Sequence, residues 1–270
     1  MIFDFGFRKL RLGELFGIPV YLDWSTIFLA LMFLQTGSVV FAFGLAAILL
    51  ASIVLHELGH SLTARCFGCE TRNITLTVIG GCASMERMPR KAWQEFLTAA
   101  AGPLVSFALG IALYVVSSFL PAGNMLGDVL WCGGHINIGL GLFNLLPGFP
   151  MDGGRIFRSV LRIVFTRARA TYAAMVVGRA AAVLLVLGPM LGVTHIWIIP
   201  IGGSFILRAL IAWMIWQAGY REYLMVLDEE RFMRWTQADF EARVSPPPYD
   251  AYGQRIKNSF SPLTRGRTNF

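Results

Sequence analysis

Charged residues are scarce in this sequence. Asp, Glu, Lys and Arg make up 14% of its 270 residues, against about a quarter in an average soluble domain. A disordered chain held open by its charge is thereby excluded, and an ordinary soluble enzyme is not expected. Cysteine is scarce too: Cys66, Cys69, Cys82 and Cys132 are too few and too scattered for a disulfide scaffold. Cys66 and Cys69 form a single C-x-x-C. A structural zinc site needs a second pair, and none exists, so free thiols are expected. The first twenty residues lack the short apolar core and small-residue cleavage site of a signal peptide. A basic stripe is also missing. The net charge of +7 is spread between apolar runs, which speaks against a nucleic-acid partner.

Apolar residues are what the chain has in excess, at 56% with a mean hydropathy of +0.60. A membrane-spanning helix needs about 20 mostly apolar residues. Six stretches qualify, near 18–36, 40–62, 100–120, 129–149, 173–192 and 196–216. The Lys and Arg positions support this count. Of the 23, 21 fall before the first stretch, between the second and third, between the fourth and fifth, or after the sixth. The alternate loops, near 37–39, 121–128 and 193–195, carry none. By the positive-inside rule both termini are cytoplasmic. The expected fold is an all-α polytopic membrane protein with six transmembrane helices. Arg179 and Arg208 are the two cations inside spans. Each either has a function or snorkels and pairs with backbone.

Two segments are not spans. In 70–85, Ile74, Leu76 and Val78 alternate with Thr75 and Thr77 before Gly80-Gly81. That pattern predicts a short membrane-associated β-hairpin, either dipping into the protein from the cytoplasmic side or lying on its surface. Residues 218–243 mix charge and apolar residues at helical spacing, and Pro and Gly dominate from Ser245 on. The expected division is a six-span core at 1–217, followed by a cytoplasmic helix and disordered tail at 218–270.

The residues that carry chemistry are His56-Glu57-Leu58-Gly59-His60. Imidazoles four apart on a helix share a face and can bind one metal, with Glu57 in reach of a water on it. Two His and a Glu after FAFGLAAILLASIVL are costly there unless they bind something. Catalytic zinc takes a third protein ligand and leaves one position open. His135 and His195 lie toward the other side of the membrane. Asp152, in Pro150-Met151-Asp152-Gly153-Gly154, shares the cytoplasmic depth of His56 and His60 and is the better candidate.

With these motifs in hand, the sequence resembles the site-2 protease family, the intramembrane zinc metalloproteases. The resemblance rests on HELGH at 56–60 and FNLLPGFPMDGGRIFRS at 143–159. AAAGPLVSFALG at 99–110 and TLTVIGG at 75–81 support it, and it runs from about residue 10 to 216. It implies one Zn2+ held by His56, His60 and Asp152, with Glu57 activating the water. It further implies that Asn144 hydrogen-bonds the substrate carbonyl or oxyanion, and that the hairpin pairs with an unwound substrate strand. The implied substrate is a single-span membrane protein within the lipid bilayer, cut near the cytoplasmic face of a prokaryotic plasma membrane. Where relatives usually carry Asn in the glycine-proline motif, this chain has Ser106, a change expected to touch no metal ligand. Three alternatives remain at this stage. A metal transporter would use the same ligands without needing Glu57 as acid or base. A scaffold would bind spans without cutting. A prenyl-protein peptidase would recruit a Glu ligand from a later motif.

Overall fold

The computed structural model describes residues 9–26, 38–77, 80–85, 89, 91–192, 195–196, 199–200 and 205–244. It divides into two compact units, Met1–Tyr220 and Arg221–Phe270. The first unit opens with strands β1 (Leu10–Leu15) and β2 (Ile18–Leu22), then helix α1 (Val39–Cys66), then β3 (Thr71–Thr77) and β4 (Gly80–Met85). Helices α2 (Ala92–Ser118), α3 (Met125–Asn144), α4 (Asp152–Leu161) and α5 (Arg167–Leu187) follow. A 3-10 turn at Gly188–Leu191, the two-residue strands β5 (His195–Ile196) and β6 (Ile199–Pro200), and α6 (Phe205–Val244) complete the order.

The chain is mostly helical but not all-α. β1 to β4 form one sheet in sequence order, with β1–β2 and β3–β4 antiparallel and β2–β3 parallel. Val20 pairs with Ile74 and Leu22 with Leu76 across the parallel step. Parallel neighbours need a long crossover, and here it contains α1. Residues 18–22 therefore belong to a strand and not to the first expected span. Ile18-Pro19-Val20 looks like the start of an apolar run, but Ile18 and Val20 alone are buried, the period of a strand. Residues 27–36 of that span, Val78 of the hairpin, and the tail from Ser245 lie outside the described residues.

Among the described residues three helices are long and apolar enough to cross a membrane: Val39–Cys66, Ala92–Ser118 and Arg167–Met190. The expected count of six is supported at those three. α3 has 20 residues, but Asp128, His135, Asn137 and its glycines dilute its apolar content. The last expected span, 196–216, begins instead with β5 and β6, and its helix starts at Phe205. In the second unit the described residues are helical to Val244, with Asp228 and Arg231 paired at 3.8 Å on an exposed face.

One core cluster joins sheet to helix. Ile18, Ile74 and Leu76 from the strands pack with Ile53 and Leu58 of α1. These two flank His56 and Glu57 in sequence, so the sheet lies against the turn of α1 that carries the motif. A second cluster packs Met151 with Ala182, Ala212 and Ile215, which seats the turn before α4 against α5 and α6. At the same turn backbones meet: a Cβ on Gly148 would come within 2.6 Å of Gly178 Cα.

Candidate metal centre

Helix α1 delivers His56 and His60 one turn apart, both buried. Asp152 is the first residue of α4, not the last of the helix before it; α3 ends at Asn144, and a turn of seven residues intervenes. An acid in a first helical turn is favoured by the backbone dipole. The three side chains converge. His56 Nε2 lies 3.2 Å and His60 Nε2 3.1 Å from Asp152 Oδ2, and the two Nε2 atoms are 3.1 Å apart.

The other ring nitrogens fix the tautomers. His60 Nδ1 is 2.7 Å from the carbonyl of Thr98, which only accepts, so Nδ1 carries the proton and donates it. His56 Nδ1 is 2.9 Å from Ser106 Oγ, a hydroxyl that can accept as well as donate; in the tautomer with Nδ1–H donating to it, Nε2 of both rings presents its lone pair inward. Two lone pairs and a carboxylate aimed at one point repel each other unless a cation lies between them. Four-coordinate zinc with bonds of about 2.0–2.1 Å sets its ligands about 3.3 Å apart, close to the spacing found. The donor set, nitrogen, nitrogen and oxygen, is also one that catalytic zinc takes. The residues fit the ion.

Helix α2 builds the wall of this centre. Glu95, Thr98, Gly102 and Ser106 recur at spacings of three and four and so share one face. Thr98 and Ser106 hold the two imidazoles. Between them Gly102 leaves room: a Cβ there would meet His60 Nε2 at 2.2 Å and His56 Nε2 at 2.6 Å. The expectation that Ser106 touches no metal ligand is corrected, because its hydroxyl is the partner of His56. Such outer partners typically contribute ten- to a hundredfold in metal affinity, by order of magnitude. Ser106→Ala is expected to weaken zinc binding by about tenfold with the fold intact, read by competition with a chelator and by circular dichroism.

Glu57 is half-buried on the neighbouring flank of α1. Strand β4 passes directly over it: a Cβ on Gly81 would meet Glu57 Cγ at 2.5 Å and Ile53 Cγ2 at 2.7 Å. Asn144 ends α3, and its amide donates to Leu140 O at 3.0 Å, within its own helix. His135 is not part of the cluster; its Nδ1 bonds Trp131 O and its ring packs on Trp131 and Tyr114. The side chain of His195 lies outside the described residues. Cys66 and Cys69 are free thiols, one exposed and one buried. Arg179 lies over the rings of Trp216 at 4.5 Å and Tyr220 at 5.6 Å, whose negative faces attract the cation. The Arg208 Nε has no hydrogen-bond partner among the described residues.

Helices long and apolar enough to cross a membrane thus stand around a His56–His60–Asp152 group that could hold a metal ion, with Glu57 next to His56 in the chain. The model of peptidase family M50 matches residues 44–129 and 122–188, and the chain belongs to that family. Zinc metalloprotease MJ0392 of Methanocaldococcus jannaschii is 36% identical over 195 residues, covering 71% of this chain and 57% of that protein. The protein sll0528 of Synechocystis sp., whose name proposes a zinc metalloprotease, is 37% identical over 226 residues, covering 78% and 58%. The chain thus spans a little under three-fifths of these curated relatives. The solved site-2 protease from Methanocaldococcus jannaschii superposes with a TM-score of 0.57 at 32% identity, covering 80% of this chain and 95% of that one.

Proposed function

We propose that this protein is an intramembrane zinc endopeptidase that hydrolyses a peptide bond in or near the transmembrane segment of a single-span membrane protein. The observation that carries the proposal is the convergence of His56 Nε2, His60 Nε2 and Asp152 Oδ2, with Glu57 next to His56 on α1 and packed against Gly81 of β4. His56, His60 and Asp152 hold one zinc ion. Bound zinc supplies Lewis acidity, lowering the pKa of a coordinated water to around 7 and polarising the scissile carbonyl.

The protein's own groups do the rest. Glu57 takes a proton from the attacking water and returns it to the departing amine. Asn144 donates a hydrogen bond to the carbonyl oxygen as charge develops on it, with the second N–H of the amide whose first is held by Leu140 O. A helical substrate hides its carbonyls, so it must unwind to be cut. β4 is an edge of the four-stranded sheet, and its outer N–H and C=O groups can replace the bonds an unwound segment loses. An added strand would lie about 4.8 Å from β4, extending the sheet at the strand whose Gly81 faces Glu57. Residues 1–217 form the protease core and 218–270 an accessory segment. The site faces the cytoplasm of a prokaryotic plasma membrane, with both termini on that side.

The test is Glu57→Gln, which keeps shape and removes the base. In membranes carrying the variant an uncut single-span protein should accumulate, with zinc content unchanged. Cutting that persists with Glu57→Gln, or zinc flux across vesicles that survives it, would sink the peptidase assignment and favour transport.

A further inference from the structure

Among the described residues outside the metal cluster, the most deeply buried charges are Glu95 and Arg158, at 2% and 1% exposure. Arg158 Nε donates to Glu95 Oε1 at 2.7 Å and its Nη2 donates to the same oxygen. Arg162 Nη1 donates to Glu95 Oε2 at 2.8 Å. Arg158 also lies over the ring of Phe149, 5.0 Å from its centroid, on the turn that leads into Asp152. The hydrolytic chemistry uses none of these groups.

Their positions trace a closed circuit. Asp152 begins α4 and Arg158 is six residues along it, about 9 Å at the helical rise. Arg158 grips Glu95 on α2. One turn further on α2 the Thr98 carbonyl receives the His60 Nδ1–H, and His60 Nε2 returns to Asp152 Oδ2. The third metal donor sits at the free end of a ten-residue helix. Met151 packs the start of that helix on α5 and α6, and α2 ties it to the imidazoles, through this charge cluster on one side and Thr98 and Ser106 on the other. Arginine suits the task, because its planar fork sets direction as well as distance.

We propose that the Glu95–Arg158–Arg162 cluster is a positioning clamp that sets Asp152 against His56 and His60. The inference rests on those three residues being a metal site, as proposed above. Removing one buried partner would strand the other charge and can unfold the protein, so the informative variant removes both: Glu95→Leu with Arg158→Met. Replacing a buried pair by apolar side chains of similar size is often tolerated. Arg162 is partly exposed and can turn to solvent.

The measurement is zinc affinity of the purified full chain by chelator competition, with thermal stability read in parallel. Positioning predicts that the double variant folds and binds zinc about 10- to 100-fold more weakly. Wild-type zinc affinity in a folded double variant overturns the clamp and leaves the cluster a purely structural pair. Should the double variant not fold, Arg158→Lys decides. It keeps the charge but loses the fork, and wild-type affinity there overturns the proposal equally. No substrate enters either measurement, so the clamp can fail while the Glu57→Gln test succeeds, and the reverse.

Discussion

Gly102→Ala is expected to leave the protein folded and to abolish zinc binding. The added methyl would stand 2.2 Å from His60 Nε2, 2.5 Å from its Cε1 and 2.6 Å from His56 Nε2. All three distances are well inside van der Waals contact. A flexible side chain could swing aside, but these rings are not free to do so. His60 is tied to the Thr98 carbonyl and His56 to Ser106 Oγ. If the rings do give way, both lone pairs leave the point where the metal must sit. If they do not, the methyl occupies the space beside the ion. Either way the loss should exceed the hundredfold or so that marks the upper end for one outer-shell hydrogen bond. Ala is also the better helix former, by about 1 kcal/mol over Gly, so helix α2 itself should not suffer. The check is zinc content by atomic emission after purification in detergent, beside a circular dichroism spectrum. Gly139→Ala is the control. It sits on an exposed face of α3 where a Cβ meets nothing within 4 Å, and zinc should stay at one per chain.

This glycine shows what the sequence could and could not tell. His56, Glu57 and His60 were legible because their relation is local: helical spacing alone places the two imidazoles on one face. Asp152 was legible because Pro147, Pro150, Gly153 and Gly154 announce a break in the chain at the depth of the histidines. The contribution of α2 was not legible. Its partners are separated by 38 residues for His60 and Thr98, and by 50 for His56 and Ser106, and such contacts leave no periodic mark. Ser106 read as a departure that touches no metal ligand, and Glu95 drew no reading. A pattern was nonetheless present, in the spacing of Glu95, Thr98, Gly102 and Ser106 along one face of an apolar helix.

The sheet divides the same way. Alternation of apolar and polar residues at 74–77 exposed β3, although Thr75 is buried along with Ile74 and Leu76. β2 was hidden because Ile18-Pro19-Val20 runs into further apolar sequence, and hydropathy counting merges a short strand with whatever apolar residues follow it. β1 was hidden for the opposite reason: as an edge strand it is exposed throughout, so it shows no alternation. The span count suffered correspondingly. A window of apolar residues reports composition and not backbone geometry, and α3 shows that helical length and apolar content part company when glycines and Asn137 pack between helices.

Gly153→Ala should be the more damaging substitution, removing the fold of the Asp152 turn along with the metal. Here a Cβ would lie 2.3 Å from the carbonyl oxygens of both Leu145 and Leu146 and 2.4 Å from the Leu145 carbonyl carbon. These are backbone atoms at the end of α3, and no rotamer change relieves them. To admit the methyl, either α3 must lose its last turn or α4 must start elsewhere. The second choice moves Asp152, its first residue, off the imidazoles and pulls Arg158 from Glu95. The neighbouring glycine blocks escape, since Gly154 is equally tight against Gly148, whose carbonyl carbon is 2.6 Å from the position of a Gly154 Cβ. Overpacking of this kind costs about 1–3 kcal/mol when side chains can yield, and more is expected where only backbone can. The predicted outcome is no bound zinc and a melting temperature below that of metal-free wild type, whereas Gly102→Ala loses zinc but melts close to metal-free wild type. Comparing the two variants by thermal denaturation and metal analysis separates a centre that has been filled from one that has been dismantled. Zinc at one per chain in Gly153→Ala would show that the turn can be rebuilt around a side chain and that Asp152 does not depend on it.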